Sequence, residues 1–163
     1  MARAVGHALR SIGLGLIILG LLALPSRGRA DQSSSDCSDT GTPYAEVEID
    51  TAPRIEPLEI ARTPQEHELG LMYRQSLAPD SGMLFVYDHQ ATEGYWMHNT
   101  LVPLSIAWID QNGGIVDIQD MQPLTDDVHT PAAPYWYALE VNQGWFLQHG
   151  VGVGQQVRFC LGS

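Results

Sequence analysis

The sequence predicts an α+β domain that is mainly β, with two short helices and a largely antiparallel sheet for which a barrel-like closure is one option. Three observations lead to this class. About seven short runs of β-type residues are separated by turn residues, an Asn-Gly pair joins two of these runs, and only two short segments carry helix signals. We expect one domain, because the residues after the N-terminal segment suffice for a single hydrophobic core.

The N-terminal segment, residues 1–30, predicts a cleavable signal peptide. Arg3 and Arg10 precede an uninterrupted apolar run over residues 12–24. A membrane-spanning helix needs about 20 apolar residues, so this run is too short for an anchor and suits a secretory leader. We therefore expect cleavage near Ala30 and export to the periplasm or the extracellular space.

The charge of the chain excludes two classes of partner. The chain has 19 acidic residues and eight basic ones, all of which are arginines. Four arginines fall within the leader and every acid lies beyond it, which leaves four positive against 19 negative side chains, a formal charge of −15. Phosphate backbones and anionic bilayers repel such a surface. We expect no nucleic acid as a partner and, once the leader is removed, no membrane.

The segment after the leader, residues 31–44, is predicted to be a flexible, acidic, Ser-rich arm, because it has too little apolar surface to bury. Residues 45–163 are the predicted globular domain. The two cysteines of the chain are Cys37 in the arm and Cys160 near the C-terminus. Because disulfides persist in exported proteins, we expect these two cysteines to be joined.

The first half of the domain is expected to contain three strands and one helix. The helix begins at Thr63, whose side chain can cap the free amides, while Glu66 can close a capping box. It is predicted to run to about Tyr73. Gly70 costs about 1 kcal/mol within a helix relative to Ala, which indicates either close backbone packing or an early helix end. The strands are expected at 45–49, 58–61 and 82–87.

The second half is expected to contain further strands and a second short helix. Segments 104–110 and 115–121 form the clearest hairpin, because Asn112-Gly113 between them tolerates the positive φ angles of a type I′ turn. The other strands are expected at 95–97, 135–141 and 157–160, and the helix at 142–149.

Several short motifs occur together in this chain. They are Gly70-Leu71-Met72 with Arg74 and Leu77, Gly82-Met83-Leu84-Phe85, Trp96-Met97-His98-Asn99-Thr100, Pro103-Leu104, Leu139-Glu140 with Gly144, and Val153-Gly154. In this order and spacing they resemble the bacterial and archaeal family known as domain of unknown function 192, over roughly residues 58–157. The resemblance implies a compact β-rich fold and no established activity.

The chain departs from the pattern of that family at three positions. His98 stands where the family usually has Lys, and Ser105 and Gln155 stand where it usually has Asp. A mechanism that needs an ion pair or a carboxylate at these positions is therefore in doubt for this protein.

The predicted place for a ligand is the polar triplet within an apolar stretch at residues 95–104. There Trp96 and Met97 would supply apolar contact while His98 and Asn99 orient the ligand, as in small-molecule sites. The alternative is structural, with Asn99 and Thr100 forming a turn. The predicted ligand-binding residues are Met72, Arg74, Trp96, Met97, His98 and Asn99, and the ligand is a small molecule, a sugar or a peptide.

The expected function is that of a non-enzymatic extracytoplasmic binding or accessory domain that uses no cofactor. Two other functions remain as alternatives. Met and His side chains suit copper in an oxidising compartment. The candidates for a copper site are Met72, Met83, Met97, Met121, His67, His89, His98 and His129. A weak hydrolase would need a pair of acids, such as Glu66 with Glu68 or Asp126 with Asp127. The sequence supports neither catalytic residues nor a resident metal.

Overall fold

The computed structural model of the protein describes residues 46–49 and 52–161. The predicted leader, the arm and Cys37 lie outside the described residues. The described part of the chain forms seven strands and two helices: β1 (Glu46–Ile49), β2 (Leu58–Ala61), α1 (Pro64–Leu69), β3 (Gly82–Ala91), β4 (Leu104–Ile109), β5 (Ile115–Met121), β6 (Tyr135–Asn142), α2 (Trp145–Gln148) and β7 (Val157–Cys160). Neither of these helices is both long and apolar enough to cross a membrane.

The strands form two sheets, one of two strands in the order β1-β7 and one of five strands in the order β2-β3-β6-β4-β5. All neighbours are antiparallel except β2 and β3, which are parallel. The five-stranded sheet is open, with β2 and β5 at its edges. The predicted class, α+β with a largely antiparallel sheet, is confirmed.

The five-stranded sheet buries a hydrophobic cluster on each of its faces. Side chains alternate between faces along a strand, so in β6 Leu139 and Val141 join one cluster while Ala138 joins the other. The first cluster also takes in the two-stranded sheet and α2, through Val47, Val157 and Trp145 among others. The second cluster is covered by connecting segments, and it is the one that positions the candidate site.

Helix α1 begins as predicted and ends earlier. Both halves of the capping box form, with Thr63 accepting from the Glu66 amide and the Glu66 carboxylate accepting from the Thr63 amide. The expected extension to Tyr73 is wrong, because Gly70 leaves the helix with φ of +46°. Gly70 also lies close to β3, since a Cβ there would be 3.4 Å from the ring of Phe85.

The predicted hairpin is confirmed as β4 and β5, but its turn is not type I′. A type I′ turn needs positive φ at both central residues, and of the pair Asn112-Gly113 only Gly113 has it, at +87°. Asp110 provides the reason, because its Oδ1 accepts hydrogen bonds from the amides of Asn112 (2.8 Å) and Gly114 (2.9 Å) and so holds a longer loop.

The second helix is shorter than predicted. Strand β6 continues to Asn142, and Gly144 takes a left-handed φ of +82° before α2 begins at Trp145. The helix is therefore one turn, Trp145–Gln148, instead of the expected 142–149. The last strand has the predicted bounds.

Candidate functional site

The candidate site is built on two connecting segments that cross the second cluster. Strands β3 and β4 are not neighbours, since β6 lies between them, so connection 92–103 must pass β6. It does so on the face of the second cluster, where its Met97 and Val102 are buried. The connection between β5 and β6 runs beside it, with Tyr95 and His129 forming an antiparallel bridge.

The predicted strand at 95–97 is wrong, because only Tyr95 makes a β-bridge. The backbone nevertheless alternates like a strand, and this alternation divides the predicted site. Tyr95 and Met97 point inward, and Met97 is 0% exposed in the second cluster. Trp96 points outward and is 50% exposed, and His98 follows on the same side.

Trp96 and His98 form a fixed stack on the outer surface. Their ring centroids are 5.0 Å apart and their planes differ by 24°. His98 is held from the neighbouring segment, because its Nδ1 lies 2.7 Å from Oδ1 of Asp126. An ionised carboxylate only accepts hydrogen bonds, so this contact places the ring proton on Nδ1. We call the outward surface formed by Trp96, His98, Asp126 and Val128 the ribbon face.

Val128 belongs to the ribbon face because it stands opposite Trp96 in the antiparallel ribbon that the Tyr95–His129 bridge defines. It is exposed, and it packs beside Gly94, where an added Cβ would meet its Cγ1 at 2.5 Å. The ribbon face thus carries two apolar side chains next to one carboxylate.

Asn99 forms the predicted turn and also makes a specific side-chain contact. Its φ is +55°, in the left-handed region that Asn tolerates, and Thr100 donates to the Met97 carbonyl across the turn (3.0 Å). Asn99 Nδ2 donates to the Tyr73 hydroxyl (3.0 Å), and the Tyr73 amide donates to the Asn99 carbonyl (2.9 Å). The turn therefore attaches the exposed Tyr73 ring next to the ribbon face.

The remaining predicted site residues have other surroundings. Arg74 binds Glu59 of β2 through both guanidinium nitrogens, with Nη2 and Oε2 2.6 Å apart. The pKa of Arg74 is raised, first by this hydrogen bond to Glu59. Met72 is half-buried in the turn after α1, where its amide donates to the Leu69 carbonyl (3.0 Å). The structure thus brings Trp96, His98 and Asn99 together, whereas Met97 lies in the core and Arg74 in an ion pair.

A buried acid lies beneath these segments. Glu140 of β6 is only 5% exposed, and its register partners Met83 and Ile106 direct it to the second cluster. Its carboxyl group makes no hydrogen bond within the described residues, and burial raises its pKa to about 8. The Nε1 atom of Trp108, in the same cluster, is likewise buried without a hydrogen-bond partner in the part of the chain that the structure describes.

Glu140 also acts on the phenol above it. The pKa of Tyr95 is raised well above its usual value by burial first, then by the neighbouring phenols Tyr87 and Tyr135, and last by the charge of Glu140. The hydroxyl oxygens of Tyr95 and Tyr87 lie 2.9 Å apart. Tyr95 therefore stays a neutral phenol at physiological pH and connects the inner side of the ribbon to β3.

At two of the three positions where the chain departs from the family pattern, an uncharged side chain forms hydrogen bonds. Ser105 is buried on β4, donates to Asp120 on the neighbouring strand and accepts from the Gly144 amide at 2.8 Å. Gln155 accepts from the Gly152 amide through Oε1 at 2.8 Å. At these two positions the side chain organises a neighbouring loop or strand instead of carrying a charge.

The copper candidates have different surroundings in the structure. Met83, Met97 and Met121 are buried in the second cluster, whereas His89 contacts Asp88 and His129 contacts Gln119. Among the described residues, no group of three or more His, Cys, Asp or Glu side chains is placed to hold a metal ion.

The fold and the site define a small mainly-β domain that presents aromatic side chains on the loops over one face of its sheet. The family model DUF192, described as an uncharacterized ACR, matches residues 45–159. The chain belongs to this family, as its motifs suggested.

Two solved structures are similar to the chain. One is described as "a putative transcription regulator" from Sinorhizobium meliloti, with a TM-score of 0.65 and 31% identity over 71% of this chain and 91% of that one. The other is a protein of unknown function from Novosphingobium aromaticivorans, with a TM-score of 0.64 and 29% identity over 70% of this chain and 82% of that one. No curated protein matches the chain.

Tyr73, Asp126, Val128 and Glu140 were not among the predicted site residues. Tyr73 and Asp126 come from segments distant in sequence, and no local pattern links them to Trp96. Glu140 had a usable signal, because it is a carboxylate inside the otherwise apolar and aromatic run 135–141 and shares the face of Ala138.

Proposed function

We propose that the protein is an exported, non-enzymatic binding domain whose ligand contacts the ribbon face. The observation that carries this proposal is the half-exposed indole of Trp96, held flat against His98 by the contact between His98 and Asp126. An exposed Trp side chain fixed in one orientation offers a large contact area at little further entropy cost on binding. Tyr73, fixed by Asn99, adds a second aromatic side chain nearby.

The partners of the acidic side chains favour binding over hydrolysis. Glu66 caps α1 and Asp126 holds His98, so each proposed acid pair has one member in a structural role. Binding to DNA, which the description of the Sinorhizobium protein suggests for that protein, is disfavoured for this one, because a chain with a formal charge of −15 after its leader would be repelled by DNA phosphates.

Export is part of the proposal and has a covalent consequence. If residues 1–30 are removed during secretion, Cys37 and Cys160 enter an oxidising compartment, and we expect them to be joined. Mass spectrometry of protein recovered from the periplasm or medium of an expression host measures both features. The expected result is an N-terminus near residue 31 and two thiols that react with an alkylating reagent only after reduction. Retention of the leader, or two thiols that react without reduction, would refute this part.

Ligand binding is tested with the exported protein and protein-observed NMR against neutral sugars and short peptides. Signals of Trp96, His98 and Val128 should shift together, and Trp96→Ala should weaken binding by at least tenfold because the stacking surface is lost. Leu147→Ala is the matched control, since Leu147 is 86% exposed on α2 and lies outside the ribbon face. Binding that survives Trp96→Ala, or no binding at millimolar concentration by any member of either set, would defeat the proposal.

A further inference from the structure

We infer that the ribbon face recognises a positively charged ligand, and that this ligand is an arginine-bearing peptide segment of a partner protein. The inference rests on the proposed function, because it uses the same surface. It goes further by assigning the charge of the ligand and its chemical class.

The first argument is the charge of the sequence that builds the ribbon face. The 83 residues between Arg74 and Arg158 contain neither Lys nor Arg, but they contain nine Asp and Glu side chains. Arg74, which precedes this stretch, is bound by both oxygens of Glu59. An anionic ligand would therefore find no Lys or Arg on the ribbon face, whereas a cationic ligand would meet a complementary surface.

The second argument is the local chemistry of the ribbon face. The Asp126 side chain is 74% exposed although one of its oxygens contacts His98. The ribbon face can therefore attract a cation through the charge of Asp126 and through the π system of the exposed Trp96 indole.

The shape of the surface favours arginine over lysine. A guanidinium group is planar and always charged, so it stacks well on an exposed aromatic ring such as Trp96 and donates paired hydrogen bonds to a carboxylate such as Asp126. An ammonium group is a compact, strongly hydrated charge that cannot form this paired arrangement. Val128, opposite Trp96, provides apolar surface for the methylene stem of the arginine.

The extent of the apolar surface favours a peptide over a free cation. Of the eight exposed large hydrophobic side chains in the described residues, five belong to the two connecting segments or to Tyr73, which the Asn99 turn holds: Tyr73, Trp96, Leu101, Leu124 and Val128. Leu124 is joined to the Asn99 turn by its amide, which donates to the Thr100 carbonyl (3.0 Å). A single amino acid would leave most of this area uncovered, whereas residues flanking an arginine would cover it.

The experiment compares two capped pentapeptides, leucine-glycine-arginine-glycine-leucine and its twin with citrulline, the neutral analogue of arginine, together with free arginine amide. Affinities are measured by NMR titration at low and high salt. The arginine peptide should bind at least tenfold more tightly than its twin, the difference should shrink at high salt, and arginine amide should bind more weakly than the peptide. Asp126→Asn should reduce the preference for arginine several-fold, because it removes the carboxylate charge of the ribbon face while the amide oxygen can still accept a hydrogen bond from His98 Nδ1.

The matched control is Asp88→Asn. Asp88 contacts His89 at 2.7 Å, the same separation as between Asp126 and His98, but lies on β3 outside the ribbon face. The Asp88→Asn substitution should leave the preference for arginine unchanged. Equal affinities of the two peptides, both lowered by Trp96→Ala, would overturn the inference while sparing the proposed function. Binding of neither peptide would also overturn it, and if no sugar or peptide binds at Trp96 the proposed function fails as well. Equal binding of arginine amide and the arginine peptide would overturn the assignment to a peptide.

Discussion

Glu140→Gln is expected to stabilise the protein by several kcal/mol at pH 8.5 and to leave its stability at pH 5 nearly unchanged. Burial raises the pKa of Glu140 from its ordinary value of 4.5 to about 8. Between these two pH values the folded state keeps the proton of Glu140, whereas the unfolded state releases it. The free energy of unfolding therefore falls as the pH rises from about 4.5 to about 8, at up to ~1.4 kcal/mol per pH unit, or about 5 kcal/mol in all. Gln resembles the protonated acid and has no charge to lose.

The measurement is urea unfolding of the wild type and the variant at several pH values between 5 and 8.5. In this pH range the acids Glu66, Asp88 and Glu93 do not interfere. Their pKa values are lowered, so their contribution to stability is complete above the ordinary pKa of an acid and changes only at lower pH. Glu68→Gln on the exposed side of α1 is the control and should follow the wild type. Parallel pH profiles for the wild type and Glu140→Gln would show that Glu140 ionises freely in the folded protein.

The elements of the fold could be predicted where a local signal fixes them. Capping chemistry predicted the start of α1 after Thr63, and the Gly-rich turns at residues 150–154 predicted that a last strand follows them. The signals failed where a distant residue decides the backbone. Asp110, for example, accepts hydrogen bonds from the amides of Asn112 and Gly114, and the loop that it holds replaces the expected type I′ turn. The pairing order β2-β3-β6-β4-β5 depends on long-range contacts that periodicity does not encode.

The candidate site could be predicted in part for the same reason. A polar triplet within an apolar run correctly indicated an unusual segment, and Asn99 indicated its turn. Which side chains face outward was not predictable, because this requires knowing that Tyr95 pairs with His129 and thereby sets the alternation. Asp126 and Tyr73 reach their partners, His98 and Asn99, only through the tertiary fold, because they lie 28 and 26 residues away from them in sequence.

Met97→Ala and Trp96→Ala, substitutions of adjacent residues, should destabilise the protein to very different extents. Met97 is 0% exposed in the second cluster, so its truncation leaves a cavity and should cost about 2–5 kcal/mol of stability. Trp96 is 50% exposed, so its truncation should cost about 1 kcal/mol of stability. Truncation of a Trp side chain in the core would cost about 3–5 kcal/mol. Urea unfolding of the two variants measures both losses.

Met97→Leu separates packing from binding in this comparison. It nearly conserves side-chain volume and should cost less than about 1.5 kcal/mol, so the ribbon above it remains in place. Binding of a ribbon-face ligand should then survive Met97→Leu and fall at least tenfold in Trp96→Ala, although Trp96→Ala unfolds at nearly the wild-type urea concentration. Comparable destabilisation by Trp96→Ala and Met97→Ala would place both side chains in the core. In that case the alternation of residues 95–98, on which the ribbon face depends, would have to be abandoned.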